Sequence, residues 1–245
     1  MDKFLDRLRQ NWRGSVPFSD NYGRDVIAEW MNSTIGSRPI SNCLDIGCGD
    51  GQDLAIVKGA FPDAALYGLD IAEENVRPLE ELGVHTGRTN LEVERLSFPD
   101  EVFDLVIANQ VFEHLKNWVF ALSEVTRVLK PDGLLIIGVP NLASLHNRLM
   151  LMLGKQPTCI DTSGMHVRGF TFPGLAQVVE YKHVFRIIDH QGRVFFPFPK
   201  RAGLMMSHLW PTAASSMFLL CERIGDPSDL GDIESIQKQE ELSLI

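Results

Sequence analysis

Two continuous apolar runs constrain the fold of this chain most strongly. They are "FDLVIA" at 103–108 and "LLIIGV" at 134–139. Runs without regular polar alternation are typical of parallel strands that helices cover on both faces. Further strands are expected at 42–46, 65–69 and 84–88, and the intervening helices at about 51–60, 72–82, 112–129 and 173–182. The pattern predicts an α/β fold with a doubly wound, mostly parallel sheet.

The remaining segments are assigned around this sheet. Residues 40–225 are predicted to form one domain. In it, "HVFRIIDHQGRVFF" and "SSMFLLCERI" supply two further strands, which brings the number of strands to seven. These two strands are candidates for an antiparallel hairpin. Residues 1–39 are expected to be helical and to cover the site. Residues 141–171, which include an amphipathic helical pattern, are too long for a simple connection and are predicted to be an insertion or lid. Residues 226–245 hold six acids and one lysine and are expected to be disordered.

Composition narrows the range of partners and locations. The four cysteines show no CxxC pair and no zinc-ligand spacing, which is typical of thiols in a reducing compartment. No leader sequence and no apolar run of membrane-spanning length is visible, so a cytoplasmic location without a transmembrane segment is expected. The net charge of -9 argues against a nucleic-acid partner. No residue spacing indicates a metal site, and the oligomeric state stays open.

The stretch "CLDIGCGDGQDL" at 43–54 indicates the ligand. Its glycines, Gly47, Gly49 and Gly51, do not fit the dinucleotide fingerprint, which needs glycine at position 52, where the chain has Gln52. Three nearby aspartates would also repel a diphosphate. A ligand with one carboxylate and an ammonium group fits better, because the helix N-terminus attracts the former and Asp45 the latter. The methionine end of S-adenosylmethionine has both groups.

Four stretches together resemble the successive motifs of class I S-adenosylmethionine-dependent methyltransferases. They are "LDIGCGDG", "LYGLDIA", "LSFPDEVFDLVIANQVFEHL" and "LKPDGLLIIGVPN", in order and in register over roughly residues 40–190. "NQVFEHL" resembles the type 11 subgroup, which includes quinone-biosynthesis methyltransferases, although Ser97 stands where that subgroup usually has proline. The resemblance implies the Rossmann-like methyltransferase fold and S-adenosylmethionine as cofactor.

The resemblance also implies roles for individual residues in cofactor binding. Asp70 is expected to accept both ribose hydroxyls, and a structural role as helix N-cap is compatible with this. Asn90 with the Leu91 backbone is expected near the adenine amino group, with Glu92 as the alternative. The other expected cofactor-binding residues lie in the glycine loop and after the second and fourth strands: Asp45, Gly47, Cys48, Gly49, Gly51, Ile71, Asn109 and Gln110.

Catalysis of methyl transfer depends mainly on orientation, and a base is needed only if the acceptor loses a proton. His114 is one candidate base, because the family places this position near the methyl group; a structural role is the alternative. His166 and Arg168 on the insertion are expected to face the transferred methyl as a base and an anion-binding group, or else to tie the insertion down. Tyr22 is a candidate substrate-binding residue.

The segment "GRVFFPFPKRAGLMMSHLW" at 192–210 mixes aromatic and basic residues. Such a segment suits peripheral contact with a membrane or a lipid-linked acceptor, although packing on the core is the alternative. The sequence therefore predicts a methyltransferase for a small molecule, including glycan or lipid-linked acceptors, and favours transfer to oxygen. The alternatives are a catalytically inactive cofactor-binding module and, less favoured, a nicotinamide-dependent oxidoreductase. A protein or nucleic-acid methyltransferase is disfavoured, because the chain shows no basic face.

Overall fold

The computed structural model describes residues 23–160, 164–196, 198 and 200–232. Its centre is one seven-stranded sheet with the strand order β3-β2-β1-β4-β5-β7-β6. The strands are β1 (Asn42–Ile46), β2 (Ala65–Asp70), β3 (His85–Arg88), β4 (Phe103–Asn109), β5 (Leu129–Pro140), β6 (Phe185–Arg193) and β7 (Ser216–Arg223). Strands β1 to β5 pair in parallel, whereas β7 runs antiparallel to both β5 and β6. The predicted α/β fold with a mostly parallel sheet is confirmed.

Seven α-helices lie before and between these strands. They are α1 (Arg24–Asn32), α2 (Gln52–Ala60), α3 (Glu73–Glu80), α4 (Trp118–Val128), α5 (Leu145–Met152), α6 (Phe172–Val179) and α7 (Lys200–Leu209) within the described part of the chain. The helix expected over 112–129 is divided into a 3-10 turn, Phe112–His114, and α4. Leu115 is extended between them, and the carbonyls of Leu115 and Lys116 accept hydrogen bonds from Arg168. A contact with the insertion thus interrupts a helix that the local pattern predicted.

Each face of the sheet is covered by its own apolar layer. On β4, Val106 and Ala108 belong to one layer, which includes buried residues of α4 and α6. Leu105 and Ile107 belong to the other layer, which includes buried residues of α1 and α2. Burial on both sides explains why the β4 sequence is continuously apolar.

The antiparallel pairing of β7 brings several chain segments to one edge of the sheet. Pro140 at the end of β5 pairs with Ser216 at the start of β7, and Ser216 pairs with Arg193 at the end of β6. The segments after β5 and β6 therefore leave from the carboxyl edge of the parallel strands. Ligands bind at this edge in open α/β sheets.

Helix α1 is the helix that the structure describes within the predicted N-terminal segment, residues 1–39. The buried guanidinium of Arg193 holds it through Asp25 at 2.7 Å and Glu29 at 3.0 Å. Residues 1–22, including the candidate Tyr22, lie outside the described residues, as do residues 233–245 of the predicted tail. A 3-10 segment, Pro227–Asp232, continues the described structure past 225, and Leu230 within it is buried.

All four cysteines, Cys43, Cys48, Cys159 and Cys221, are buried free thiols. Burial raises the pKa of each of these thiols above its ordinary value. Among the described helices, we find none with the length and apolar character needed to cross a bilayer.

Candidate cofactor and acceptor site

The glycine loop between β1 and α2 has a backbone conformation that favours glycine over residues with side chains. Gly47, Gly49 and Gly51 have φ values of 69°, 50° and 74°, in the left-handed region that favours glycine. A Cβ on Gly47 or Gly51 would lie 2.6 Å from Val111 or 2.5 Å from Leu79. A Cβ on Gly49 would instead meet no atom within 4 Å. Gly49 therefore presents bare backbone to open space, as a loop that cradles a ligand does.

Asp70 at the end of β2 fixes this loop. Its Oδ2 accepts the backbone N–H of Gly49 at 3.0 Å, and its Oδ1 accepts that of Ala72 at 2.8 Å. The second bond shapes the entry to α3, whose N-cap position is occupied by Ala72 rather than Asp70. An ionised carboxylate has about four acceptor positions, so both oxygens retain capacity for a ribose diol. Ile71, which follows, is largely exposed.

Asp45 in β1 is a buried carboxylate, and its Oδ2 has no hydrogen-bond partner among the described residues. Burial raises the pKa of Asp45 well above its ordinary value, and the nearby Asp53 raises it further. Asp53 itself is held by Arg24 at 3.0 Å and by the Asn109 amide at 2.9 Å. A cationic group next to Asp45 would offset the cost of burying this charge. The ammonium group of S-adenosylmethionine has the required charge, so this site fits the cofactor.

The end of β4 contributes two amide side chains. Gly138 on the adjacent strand leaves room for Asn109, since an added Cβ there would lie 2.4 Å from the Asn109 Oδ1. Gln110 has a left-handed backbone with φ of 58°, and its Nε2 is buried without a partner among the described groups. Such strain commonly accompanies functional loops.

The segment expected at the adenine makes a local contact and a contact with the residues just before α4. The Asn90 Oδ1 accepts the Glu92 N–H at 3.1 Å, and the Glu92 carboxylate accepts the Lys116 N–H at 3.2 Å. Leu91 between them is buried. The roles of Asn90, Leu91 and Glu92 toward the adenine stay predictions.

His114 and His166 come together, with ring centroids 4.7 Å apart. The His114 Nδ1 lies 3.3 Å from the carbonyl of Met165, and the His166 Nδ1 lies 2.9 Å from the carbonyl of Cys159. Burial lowers the pKa of His114, the hydrogen bond to Met165 opposes this effect, and the neighbouring His166 adds to it. The fold thus joins the turn after β4 to the insertion through the two candidate histidines.

Glu113 adjoins this pair and was not among the site residues predicted from the sequence. It is 1% exposed, and neither carboxylate oxygen has a partner among the described residues. Burial raises the pKa of Glu113 to about 7. Its backbone carbonyl accepts the N–H groups of Val167 and Arg168 at 2.8 and 3.1 Å, which attaches the insertion at this point.

Arg168 makes contacts of the kind expected from a residue that ties the insertion down. Its guanidinium donates to the carbonyls of Leu115 and Lys116, at 3.3 and 3.1 Å from its Nε. Some of the N–H donors of the guanidinium are therefore bonded to backbone carbonyls. A role for Arg168 in binding the acceptor stays a prediction.

The fold and this site together define a class of protein, the Rossmann-like enzymes with a glycine loop after β1 and an acid at the end of β2. A solved structure of an S-adenosylmethionine-dependent methyltransferase from Archaeoglobus fulgidus superposes with a TM-score of 0.58, covering 88% of this chain and 97% of that one. The two sequences are only 18% identical, so this likeness concerns the fold.

Sequence comparison identifies the family more narrowly. Residues 44–137 match the family described as "Methyltransferase domain". The ubiquinone biosynthesis O-methyltransferase of Maricaulis maris is 33% identical over 138 residues, which are 52% of this chain and 52% of that protein. The mitochondrial arginine-hydroxylase NDUFAF5 of Rattus norvegicus is 29% identical over 141 residues, 55% of this chain and 40% of that protein. The chain therefore spans about half or less of these relatives. The match over residues 44–137 is to a methyltransferase domain, the kind of domain that the motifs predicted.

Proposed function

We propose that this protein transfers the methyl group of S-adenosylmethionine to a small-molecule acceptor, at an oxygen atom. One observation carries the cofactor assignment: Asp45 is a buried carboxylate with an unpartnered oxygen, at the start of a loop where Gly49 exposes bare backbone. The similarity to an O-methyltransferase supports transfer to oxygen.

The residues divide the work by their chemistry. Asp45 binds the ammonium group of the cofactor, and Asp70 accepts the ribose hydroxyls while it holds the Gly49 loop. The N–H groups at the start of α2 face the cofactor carboxylate. S-adenosylmethionine, when bound, supplies an electrophilic methyl group on a sulfonium. His114 and His166 act on the hydroxyl of the acceptor, and the insertion above them excludes water.

The acceptor is proposed to carry a lipid. Large apolar side chains are more than 40% exposed on α5, on α7 and in the residues around them: Leu149, Leu151, Met152, Leu153, Phe196, Phe198, Leu204, Met205, Leu209 and Trp210. We call this set the apolar edge surface. His146 contacts the Phe196 ring at 4.6 Å, and the Arg148 guanidinium lies 5.8 Å from the Trp210 ring, so the two segments form one surface. Among the described Phe and Trp residues of the segment 192–210, only Phe195 is buried. Exposed apolar groups with Arg148 and Lys155 at their margin suit the surface of a lipid bilayer.

Ligand binding tests the cofactor assignment without an acceptor. S-adenosylhomocysteine is expected to bind in calorimetry and to raise the melting temperature, because a ligand that binds only the folded state stabilises it. NAD is expected to do neither. Binding of NAD without binding of S-adenosylhomocysteine would contradict the proposal and favour an oxidoreductase.

The acceptor is sought next, with S-adenosylmethionine carrying a labelled methyl group. Phenols, hydroxy acids and lipid-linked sugars are the compounds to test, and label in the extracted product identifies transfer. Binding of S-adenosylhomocysteine with no transfer to any compound would favour the alternative, a domain that binds the cofactor for another purpose. One similar protein is named a hydroxylase rather than a methyltransferase, and this name supports that alternative.

A further inference from the structure

Three side chains with metal-binding atoms meet at the junction between the core and the insertion. They are Glu113 and His114 in the turn after β4, and His166 in the segment after α5. One ligand atom from each lies within 4.8 Å of the other two. In the part of the chain that the structure describes, no other three His, Cys, Asp or Glu residues are gathered in this way.

Both histidines are held in the tautomer that binds metals. A backbone carbonyl can only accept a hydrogen bond, so the Nδ1 atoms of His114 and His166 must carry the protons they share with Met165 and Cys159. In a neutral imidazole this leaves the lone pair on Nε2. Metal-binding histidines are commonly oriented in the same way, by a carbonyl or carboxylate on the other ring nitrogen.

Glu113 supplies the second, independent observation. Its carboxylate is almost completely buried, and neither oxygen has a hydrogen-bond partner among the described residues, the two histidines included. A buried carboxylate without a partner is costly, and a bound cation removes that cost.

We propose that Glu113, His114 and His166 bind a divalent first-row transition-metal ion such as Zn²⁺. Two imidazole nitrogens and one carboxylate oxygen suit such an ion, whereas Mg²⁺ and Ca²⁺ prefer oxygen ligands. Metal bonds of ~2.1 Å in a tetrahedral arrangement place ligand atoms about 3.4 Å apart. The present separations of at most 4.8 Å therefore close by about 1.4 Å or less when the ion binds.

The site has three protein ligands, which leaves a coordination position for an exogenous group, as in catalytic zinc sites. Its role in the reaction rests on the proposed function. An acceptor hydroxyl bound to the ion becomes more acidic, so its O–H bond breaks with the electron pair kept by oxygen, and the proton passes to water. In this arrangement His114 and His166 are metal ligands rather than bases. The ion also joins the insertion to the core.

Metal binding is measured on the full chain, with any affinity tag removed and no cofactor present. Dialysis against Zn²⁺ followed by elemental analysis is expected to give one ion per chain. Glu113→Gln and His166→Ala are each expected to weaken binding at least 10–100-fold, the loss that even an outer-shell partner causes. His208→Ala is the matched control, because its Nδ1 also bonds a backbone carbonyl, that of Leu204 at 2.8 Å, yet it lies outside the cluster.

Replacement of Zn²⁺ by Co²⁺ gives a second measurement of metal binding. A loss of stability alone does not produce its signal. Visible absorption bands of bound Co²⁺ are expected in the unmodified protein and in His208→Ala, and not in the other two variants. S-adenosylhomocysteine binding by each variant shows that it is folded and tests the proposed function separately. The metal proposal is overturned if the unmodified chain binds no Zn²⁺, if it prefers Mg²⁺, or if the folded Glu113→Gln and His166→Ala variants bind Zn²⁺ as well as the control.

Discussion

Asp45 shows how the environment of one side chain sets the charge available to a ligand. Its carboxyl group is buried near Asp53, and both circumstances favour the protonated form. An ammonium group favours the ionised form instead. The proposed binding of the cofactor ammonium group by Asp45 therefore couples cofactor binding to loss of the Asp45 proton.

This coupling predicts a pH dependence of cofactor binding. Because the pKa of Asp45 is raised in the free protein, the carboxyl group stays neutral above its ordinary value of 3.8, and S-adenosylhomocysteine should bind more tightly as pH rises through the raised pKa. Calorimetry in buffers of different ionisation enthalpy should detect protons released on binding. Asp45→Asn should lower the affinity about 10–100-fold, which is the factor for a lost hydrogen bond to a charged group, and remove most of the pH dependence. An affinity that decreases as pH rises would contradict this assignment.

Single residues differ in how far the sequence reveals them. The glycine loop and Asp70 lie in contiguous motifs, so their positions could be predicted. Glu113 could not be selected, because its importance depends on the absence of partners in the fold and on the approach of His166 from a distant segment. The two bonds from Asp70 to backbone N–H groups were likewise visible only in three dimensions.

At the scale of elements, α4 is attached through Glu124 and Arg127 to the loop that precedes β4. Arg127 donates to Glu124 at 2.7 Å, to Asp100 at 2.7 Å and to the carbonyl of Leu96 at 2.9 Å. Burial alone would raise the pKa of Glu124, but the hydrogen bonds from Arg127 and the Leu96 N–H outweigh burial and lower it.

The lowered pKa of Glu124 predicts how stability depends on acid. Its contribution is fully present above the ordinary value of 4.5 and is lost as pH falls through the lower pKa of the folded state. Glu124→Gln should reduce the free energy of unfolding at pH 7 by about 1–3 kcal/mol and by less below pH 4, in urea titrations. The exposed pair Glu73–Arg77 provides the control, since Glu73→Gln should change stability by at most about 0.5 kcal/mol. An equal loss at every pH would show that the Glu124 charge does not matter.

The sequence predicted helices and strands well where the local residue pattern determines their bounds. It predicted them less well where tertiary contacts determine those bounds. Apolar runs located β4 and the second half of β5, and the antiparallel pairing of β6 with β7 is confirmed. The predicted helix over 112–129 was wrong in its first turns, because Leu115 is extended where the insertion contacts it. Helix α6 ends at Val179 rather than 182, and Lys182 beyond it has a left-handed backbone.

At the scale of the whole molecule, the carboxyl edge of the sheet gathers the cofactor loop, the insertion and the apolar edge surface. The fold class could be predicted from the alternation of elements. Their convergence on one edge could not, because it depends on the register that places Ser216 between Pro140 and Arg193.

The apolar edge surface predicts binding to lipid vesicles. Vesicles that contain anionic phospholipid should retain the protein in co-sedimentation, because Arg148 and Lys155 flank the exposed apolar groups. Met152→Glu and Leu209→Glu should each weaken this binding, since both side chains are more than 70% exposed. Ile224→Glu is the control, because Ile224 is exposed at the opposite edge, after the end of β7. Absence of vesicle binding, or equal weakening by the control, would argue against a lipid-linked acceptor.

The burial of all four native thiols has a practical consequence for labelling the protein. Maleimides react with exposed thiolates, and these thiols are buried with raised pKa values, so the folded protein is close to inert toward such reagents. A single cysteine introduced at Lys155 would then carry a fluorophore at a defined position, with no need to remove Cys43, Cys48, Cys159 or Cys221. The wild-type background is already suited to site-specific labelling of the insertion.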